Sequence, residues 1–344
     1  MEKMRLGKTG LMVTKTAFGA LPIQRRNMTD AVEILKLAYE SGINFFDTAR
    51  AYSDSEEKIG TAFTPEMRSN IIIATKTTAS NAEKLRADLE TSLKKLNTDY
   101  IDIYQLHNPA FLPVPGGEDG LYDAALEAKQ QGKIRHIGIT NHRIQVAYDA
   151  AKSGLYETIQ FPFSMLSGEP EFKLLKLCRE NDIGFIAMKA LSGGLITDAR
   201  PTFSFIRQYE NVVPIWGIQH MHELLEFIEL EKNPPVYDDE MKMLIEKDKA
   251  ELSGDFCRGC GYCMPCPADI QINMSARMYF FITRSPYKNY ITKEYQKEMA
   301  KIDSCIGCNA CKARCPYELD TPKLLKRQYE LYKGFVSEHA DEVE

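Results

Sequence analysis

The chain has no run approaching the ~20 consecutive apolar residues that a membrane-spanning helix requires, and its opening stretch, MEKMRLGKTG, lacks the apolar core of a secretory signal peptide. We therefore expect a cytoplasmic protein without a membrane partner. An excess of positive charge is missing too. The 43 Lys and Arg face 48 Asp and Glu, a formal net charge of -5, which leaves no basic surface for phosphates and excludes nucleic acid as an expected partner. A small set at Lys323, Lys326 and Arg327 has helical spacing and reads as a solvated face. Cysteine is almost absent from the first 256 residues, where Cys178 in EFKLLKLCREN reads as a core side chain; the other eight of nine lie between 257 and 315. At metal-ligand spacing and without an export signal, they point to thiolates in a reducing compartment and not to a disulfide scaffold.

What is present, from Leu11 to about Leu230, is an alternation of short apolar β-rich runs with amphipathic helical stretches. The strand candidates are KTAFGAL, INFFDTA, IIIATKT, IDIYQLH, IRHIGIT, TIQFPFS, GFIAMKA and VVPIWGI. Between them the pattern predicts helices, among them 29–41 with Ala31, Ile34, Leu35 and Ala38 on one face, and 81–96 with Leu85, Leu89, Leu93 and Leu96. Eight βα units with near-continuous apolar strands imply an α/β fold, a (β/α)8 TIM barrel. A doubly wound sheet is the alternative, but no GxGxxG follows the first strand. The alternation stops at EKNPPVYDDE (231–240), so we draw two domains, a barrel over 1–235 and a mostly helical domain over 236–344. The latter reads as a helix at 238–252, a cysteine run, a helical spacer, a second run, and a terminal helix from near Pro322.

Catalysis in such a barrel sits at the C-terminal ends of the strands. Asp47 ends strand 2, Tyr52 lies in the loop after it, Lys76 ends strand 3 and His107 ends strand 4. Together the four suit carbonyl reduction. A hydride added to a carbonyl carbon leaves an alkoxide that needs a proton, and a tyrosine of ordinary pKa ~10 is a poor donor near neutrality. An adjacent ammonium stabilises the tyrosinate, and a carboxylate can hold that ammonium charged. The histidine is placed to hydrogen-bond the carbonyl oxygen.

The stretches LGKTGLMVTKTAFGA, FFDTARAYSDSEEKIG, IATKT, DIYQLHNP, IRHIGITNH, IQFPFS and MKALSGG resemble, in order and spacing, the aldo-keto reductases, over residues 5 to about 228. The resemblance implies that Asp47, Tyr52, Lys76 and His107 form a catalytic tetrad in which Tyr52 is general acid for reduction and general base for oxidation. It also implies an NADPH or NADH cofactor and a small-molecule carbonyl or alcohol substrate. Thr140, Asn141 and Gln160 would hold the nicotinamide carboxamide, and Leu191, Ser192, Gly193 and Gly194 would lie along the pyrophosphate. Two departures stand out. Met188 replaces the family's usual stacking tyrosine. After strand 8, where the family often places Lys or Arg on a 2'-phosphate, this chain has Trp216, Gln219, His220, Glu223 and Glu226; carboxylates near a ribose would favour its hydroxyls and hence NADH.

The second cysteine run, Cys305-x2-Cys308-x2-Cys311-x3-Cys315-Pro316, has the spacing of a bacterial [4Fe–4S] loop. The first, Cys257, Cys260, Cys263 and Cys266 before Pro267, is one residue shorter. In two-cluster ferredoxins the fourth cysteine serves the other cluster, so we assign Cys257, Cys260, Cys263 and Cys315 to one cluster and Cys305, Cys308, Cys311 and Cys266 to a second. Zinc is the competing metal. Residues 257 to 316 resemble ferredoxin-type dicluster domains, and the helical spacer points to the α-helical type. The expected function is an NAD(P)H-dependent oxidoreductase interconverting a carbonyl and an alcohol, with two [4Fe–4S] clusters in a C-terminal ferredoxin-like domain. The alternatives are an electron-transfer reductase fed by its clusters through a redox-protein partner, and a redox sensor without enzymatic activity.

Overall fold

A computed structural model of the chain describes residues 1–252, 256–284 and 287–342. The described chain divides into two compact units, one of Met1–Ala190 with Arg200–Lys242, the other of Leu191–Ala199 with Met243–Glu344. The division thus falls beyond the 235/236 boundary drawn from the proline pair, and a short segment after the seventh barrel strand groups with the second unit.

The first unit begins with an antiparallel pair, β1 (Lys3–Arg5) and β2 (Met12–Thr14). Eight parallel strands follow, β3 (Ala17–Gly19), β4 (Phe45–Asp47), β5 (Ile72–Thr77), β6 (Ile101–His107), β7 (Ile134–Thr140), β8 (Thr158–Pro162), β9 (Gly184–Met188) and β10 (Val212–Gly217). They close in sequence order, β10 returning to pair with β3. Each coincides with one of the eight apolar runs in the sequence, because parallel strands covered on both sides need apolar residues facing both ways. The helices also follow their apolar stripes. α1 (Met28–Glu40) buries Ala31, Ile34, Leu35 and Ala38. Of the shorter α2 (Ser55–Ala62) and α3 (Pro65–Arg68), the first follows the loop that carries Tyr52. α4 (Ala82–Leu96) buries Leu85, Leu89, Leu93 and Leu96, is capped by Asn81 Oδ1 accepting from the Lys84 amide at 3.0 Å, and stops at left-handed Asn97. The outer layer continues with α5 (Leu121–Gln130), α6 (Ile144–Ser153), α7 (Glu169–Glu180), α8 (Ala199–Ile206) and α9 (Met221–Lys232). Cys178 on α7 is fully buried, and burial pushes its thiol up to about 12, so it is an inert core side chain.

The β1–β2 hairpin is not among the eight strand candidates. Its Met4, Leu6 and Val13 share one apolar cluster with Ala17, Phe45 and Ile72 of the barrel strands. Gly7 bridges to Ile183, the residue before β9, and a Cβ on Gly7 would stand 2.3 Å from the Gly184 nitrogen. The hairpin therefore plugs the N-terminal end of the barrel, and glycine permits the close approach. The same end carries a buried carboxylate, Asp102, held by Arg68 at 2.7 Å and Arg135 at 3.0 Å, with both guanidiniums also stacked on Tyr100. Polar groups at this end serve stability, which leaves the opposite end for chemistry.

The second unit is helical apart from its loops, as the sequence predicts. It contains most of α10 (Asp239–Leu252), then α11 (Ile272–Ser275), α12 (Met278–Arg284), α13 (Lys293–Ala300), α14 (Ala310–Ala313) and the long α15 (Thr321–Glu338). α15 starts at Asp320, whose carboxylate accepts from the Lys323 amide, with Pro322 in the first turn. Its buried face ties the unit together: Gln328 Oε1 accepts from the Tyr279 amide at 2.9 Å, and the Tyr332 hydroxyl donates to the Tyr290 carbonyl at 2.8 Å. Among the described residues no helix is long and apolar enough to cross a membrane.

If the hairpin is part of the barrel core, Leu6→Ala should cost about 2–5 kcal/mol, the usual range for a buried leucine truncated to alanine. A calorimetric scan should show a lower unfolding temperature for the barrel transition. An unchanged transition would mean that the plug folds independently of the strands it covers.

Candidate active site and cluster-binding loops

Strand register brings the catalytic candidates together. Asp47, the last residue of β4, pairs with Ala74 of β5, and the period of two puts Lys76 on the same side as Ala74, one step nearer the C-terminal rim. Lys76 Nζ donates to Asp47 Oδ1 at 2.6 Å and to the Thr48 carbonyl at 2.6 Å. Both side chains are buried, Lys76 at 0% exposure and Asp47 at 2%. Burial pushes the lysine below and the carboxyl above its ordinary range, while their mutual attraction opposes both shifts. The Lys76 ammonium lies 5.2 Å from the centre of the Tyr52 ring, and Tyr52 meets His107 edge to face with centroids 6.0 Å apart. Burial, with a smaller push from the Lys76 charge, lowers His107 to about 3, so its imidazole is neutral through the physiological range. Its Nδ1 is buried with no hydrogen-bond partner among the described residues.

Two residues that the strand-end rule passes over support this group. Gln105 pairs with Lys76 in the sheet register and is fully buried. Its Nε2 donates to Asp47 Oδ2 at 3.3 Å and to Gln160 Oε1 at 2.9 Å. Space for it comes from Gly138 on β7, where a Cβ would stand 3.0 Å from Gln105 Cγ and 2.2 Å from Thr158 Oγ1. Lys58 on α2, also buried, donates to the carbonyls of Ile23 and Gln24 and to Asp54 Oδ1. It fastens the loop holding Tyr52 to the loop after β3. Its only sequence signal is a lone cation within SEEKIG.

The residues expected at the cofactor fall into distinct groups. Thr140 at the end of β7 faces Gln160 in the middle of β8 in register, and the Thr140 hydroxyl lies 3.8 Å from Met188 Sδ at the end of β9. A hydroxyl and an amide beside a thioether fit the carboxamide and ring of a nicotinamide. The Asn141 amide is engaged within the chain, donating to the Pro109 carbonyl at 2.9 Å and accepting from the amides of His142 and Arg143. After β10, Glu223 Oε2 accepts from the amides of Gln219 and His220 at 2.6 and 2.8 Å, capping α9. Gln219 Oε1 accepts from Arg25 Nη1 at 3.3 Å, so a cation stands at the same end. Glu226 is exposed on α9. Trp216 is a core side chain stacked between Phe203 and Phe227. Leu191, Ser192, Gly193 and Gly194 belong to the second unit, where the Gly193 carbonyl accepts from Arg277 Nη1 at 3.3 Å.

In the second unit the eight clustered cysteines line two cavities. Cys257, Cys260, Cys263 and Cys315 line one, and Cys266, Cys305, Cys308 and Cys311 line the other. Each run therefore gives three thiols to its own cavity and one to the other. Ile272 borders both. Gly259, Gly261 and Gly307 take left-handed conformations, with φ of 62°, 81° and 68°, which let tight loops turn their amides inward. The Gly259 amide is 3.3 Å from Cys257 Sγ. Arg314 stitches the two runs, donating to the carbonyls of Met264 and Pro265. Among the described residues no three Cys, His, Asp or Glu side chains converge closely enough for one metal ion. Four thiols around each cavity, with the Gly259 amide donating to Cys257 Sγ, fit the ligand set of a cuboidal iron–sulfur cluster.

Comparisons with known proteins agree with both units. The model of the Aldo/keto reductase family matches residues 14–204, and that of a 4Fe-4S dicluster domain matches residues 256–320. The aldo-keto reductase YhdN of Bacillus subtilis is 33% identical over 220 residues, covering 57% of this chain and 64% of that one. The oxidoreductase YqkF of the same organism is 32% identical over 214 residues, covering 58% and 67%. Among solved structures, the holo form of aldo-keto reductase AKR11C1 from Bacillus halodurans matches with a TM-score of 0.64 at 24% identity, over 72% of this chain and 96% of that one, a likeness of fold. A closed eight-stranded barrel whose strand ends gather Asp47, Tyr52, Lys76 and His107, and a family match across more than half its length, make this chain a member of the aldo-keto reductase family, an oxidoreductase that also carries a 4Fe–4S dicluster domain.

Proposed function

We propose that this chain interconverts a carbonyl and an alcohol on a small molecule, using NADPH or NADH in the barrel and carrying two [4Fe–4S] clusters in the second unit. The observation that carries the reading is the buried Lys76–Asp47 pair with its ammonium 5.2 Å from the Tyr52 ring. A nicotinamide, held by Thr140, Gln160 and Met188 at the strand ends, would supply a hydride to the carbonyl carbon. His107, neutral at working pH, donates its ring N–H to the carbonyl oxygen and orients it. As negative charge grows on that oxygen, Tyr52 gives up its hydroxyl proton, and the ammonium stabilises the phenolate that remains. In oxidation the same phenolate takes the proton from the alcohol. The Arg25 guanidinium, donating to Gln219, places a cation beside the carboxylates Glu223 and Glu226 at this end, so the reading keeps both NADPH and NADH.

Cys257, Cys260, Cys263 and Cys315 would hold one cluster, and Cys266, Cys305, Cys308 and Cys311 the other. They exchange single electrons, whereas a hydride carries two, and no flavin motif is present in the chain to divide the pair.

Three measurements test this reading. Tyr52→Phe should lower turnover of a carbonyl substrate by about 10²- to 10⁴-fold, the usual worth of a general acid, while dinucleotide binding followed by fluorescence stays near wild type. Near-normal turnover would remove Tyr52 from its role. Anaerobically purified protein should hold about eight iron and eight acid-labile sulfide per chain, four of each per cluster; zinc without sulfide would falsify the cluster reading. Mixed anaerobically with NADH or NADPH, the clusters should keep their oxidised absorbance while a carbonyl is turned over. Fast bleaching without added flavin would show direct nicotinamide-to-cluster transfer and overturn that part of the proposal.

A further inference from the structure

The two cysteine cavities differ in their access to solvent. Around the first, Cys257, Arg258, Gly259, Cys260, Gly261 and Cys263 are buried or half-buried. Around the second, Ile306, Gly307, Cys308 and Asn309 are all exposed, and Ile306 shows 70% of its surface, uncommon for an isoleucine. Charge is unequally spread as well. The whole chain carries -5, yet residues 305–327 hold five cations, Lys312, Arg314, Lys323, Lys326 and Arg327, against two carboxylates, Glu318 and Asp320. The basic helical set that the sequence offered as a solvated face is the beginning of α15, the helix whose Pro322 and Leu325 line the second cavity. Lys326 stands one turn from Pro322 on the same side of the helix, and both Lys323 and Lys326 are exposed. An exposed apolar tip carrying a metal-ligating thiol, on a cavity lined by a helix turn that also presents exposed lysines, is suited to bring a redox centre close to a partner of opposite charge.

We propose that this face, formed by Ile306–Asn309 with Lys323 and Lys326, is the electron port of the protein and docks a small acidic one-electron carrier protein. The inference rests on the reading of the second cavity as a [4Fe–4S] site. One electron leaves the reduced carrier and enters that cluster, taking its core from the 2+ to the 1+ state; no proton moves and no bond is made or broken. Ile272 borders both cavities, so the first site is the neighbour of this exposed one. An external carrier also supplies what a nicotinamide does not, electrons one at a time.

The test uses the full chain with its clusters and, as probe, an acidic flavodoxin reduced beforehand, whose own colour change reports each electron it gives up in an anaerobic stopped-flow experiment. Iron, sulfide and cluster absorbance are measured first on wild type and on the charge-reversed variant Lys323→Glu/Lys326→Glu. With clusters equal in the two proteins, we expect the second-order rate constant at low ionic strength to fall about tenfold or more, and its decline with added salt to flatten. A rate within twofold of wild type overturns the proposal. So does an equal slowing with a small chemical reductant, or a shifted midpoint potential, either of which would mean that the lysines only balance the cluster's own negative charge. An unchanged rate with a changed oligomeric state by light scattering would assign the face to a second copy of the chain. Wild-type protein without clusters overturns the cluster reading itself, so the two failures are told apart.

Discussion

An ammonium and a carboxylate placed in a barrel interior each lose hydration worth on the order of several kcal/mol even after relaxation, and the Lys76–Asp47 pair is tolerated only because its surroundings replace that hydration. The 2.6 Å contact between the charges is one part, the Thr48 carbonyl on Nζ a second, and the amides of Gln105 and Gln160 on Asp47 a third. The groups come from four strands or strand ends, Asp47 and Thr48 from β4, Lys76 from β5, Gln105 from β6 and Gln160 from β8, so the pair is satisfied only when these strands are in register. Gly138 belongs to the same requirement, since any side chain there would displace Gln105. The charge that serves Tyr52 is therefore also a constraint on how the strands align.

Much of this was legible in the sequence, and the reasons are specific. The eight strands showed as apolar runs because both faces of a parallel sheet are covered, and α4 showed because four leucines recur at helical spacing. The Asp, Tyr, Lys and His candidates showed because polar residues at the ends of such runs have no packing reason to be there. Gln105 was hidden by the same rule. It lies two residues inside β6, where a polar side chain is acceptable only if a glycine on the neighbouring β7 makes room and a carboxylate two strands away on β4 accepts a hydrogen bond, and those are relations of register. The plug hairpin escaped because two three-residue strands contain too little pattern to distinguish from a turn.

The cofactor residues show where motif reading reaches further than geometry. Glu223 looked like a ligand for ribose hydroxyls, yet a carboxylate three residues into a helix also satisfies amides at that helix's own start, and here it does so. Asn141 likewise spends its amide on the turn after β7. Side chains of this kind shape the loops on which a ligand would rest, and residue type alone does not distinguish shaping a loop from touching a ligand. Membership of Leu191–Ala199 in the second unit is a tertiary fact that no local pattern carries.

The crossed cysteines place a related demand on the second unit. Because Cys315 lines the cavity of the first run and Cys266 that of the second, neither cluster could be completed by one run alone. Thirty-eight residues lie between Cys266 and Cys305, and the runs are held together by Arg314 reaching the carbonyls of Met264 and Pro265 and by α15, whose Thr321 and Leu324 face one cavity while Pro322 and Leu325 face the other. Four-thiolate binding contributes to folding only when all four thiols can be gathered, so two clusters that each draw ligands from both runs would make the unit form as a whole or not at all. That coupling gives α15 two roles with one geometry: its buried side sets the spacing of the sites, and the side that must remain in water is where a charge pattern can be read by another molecule.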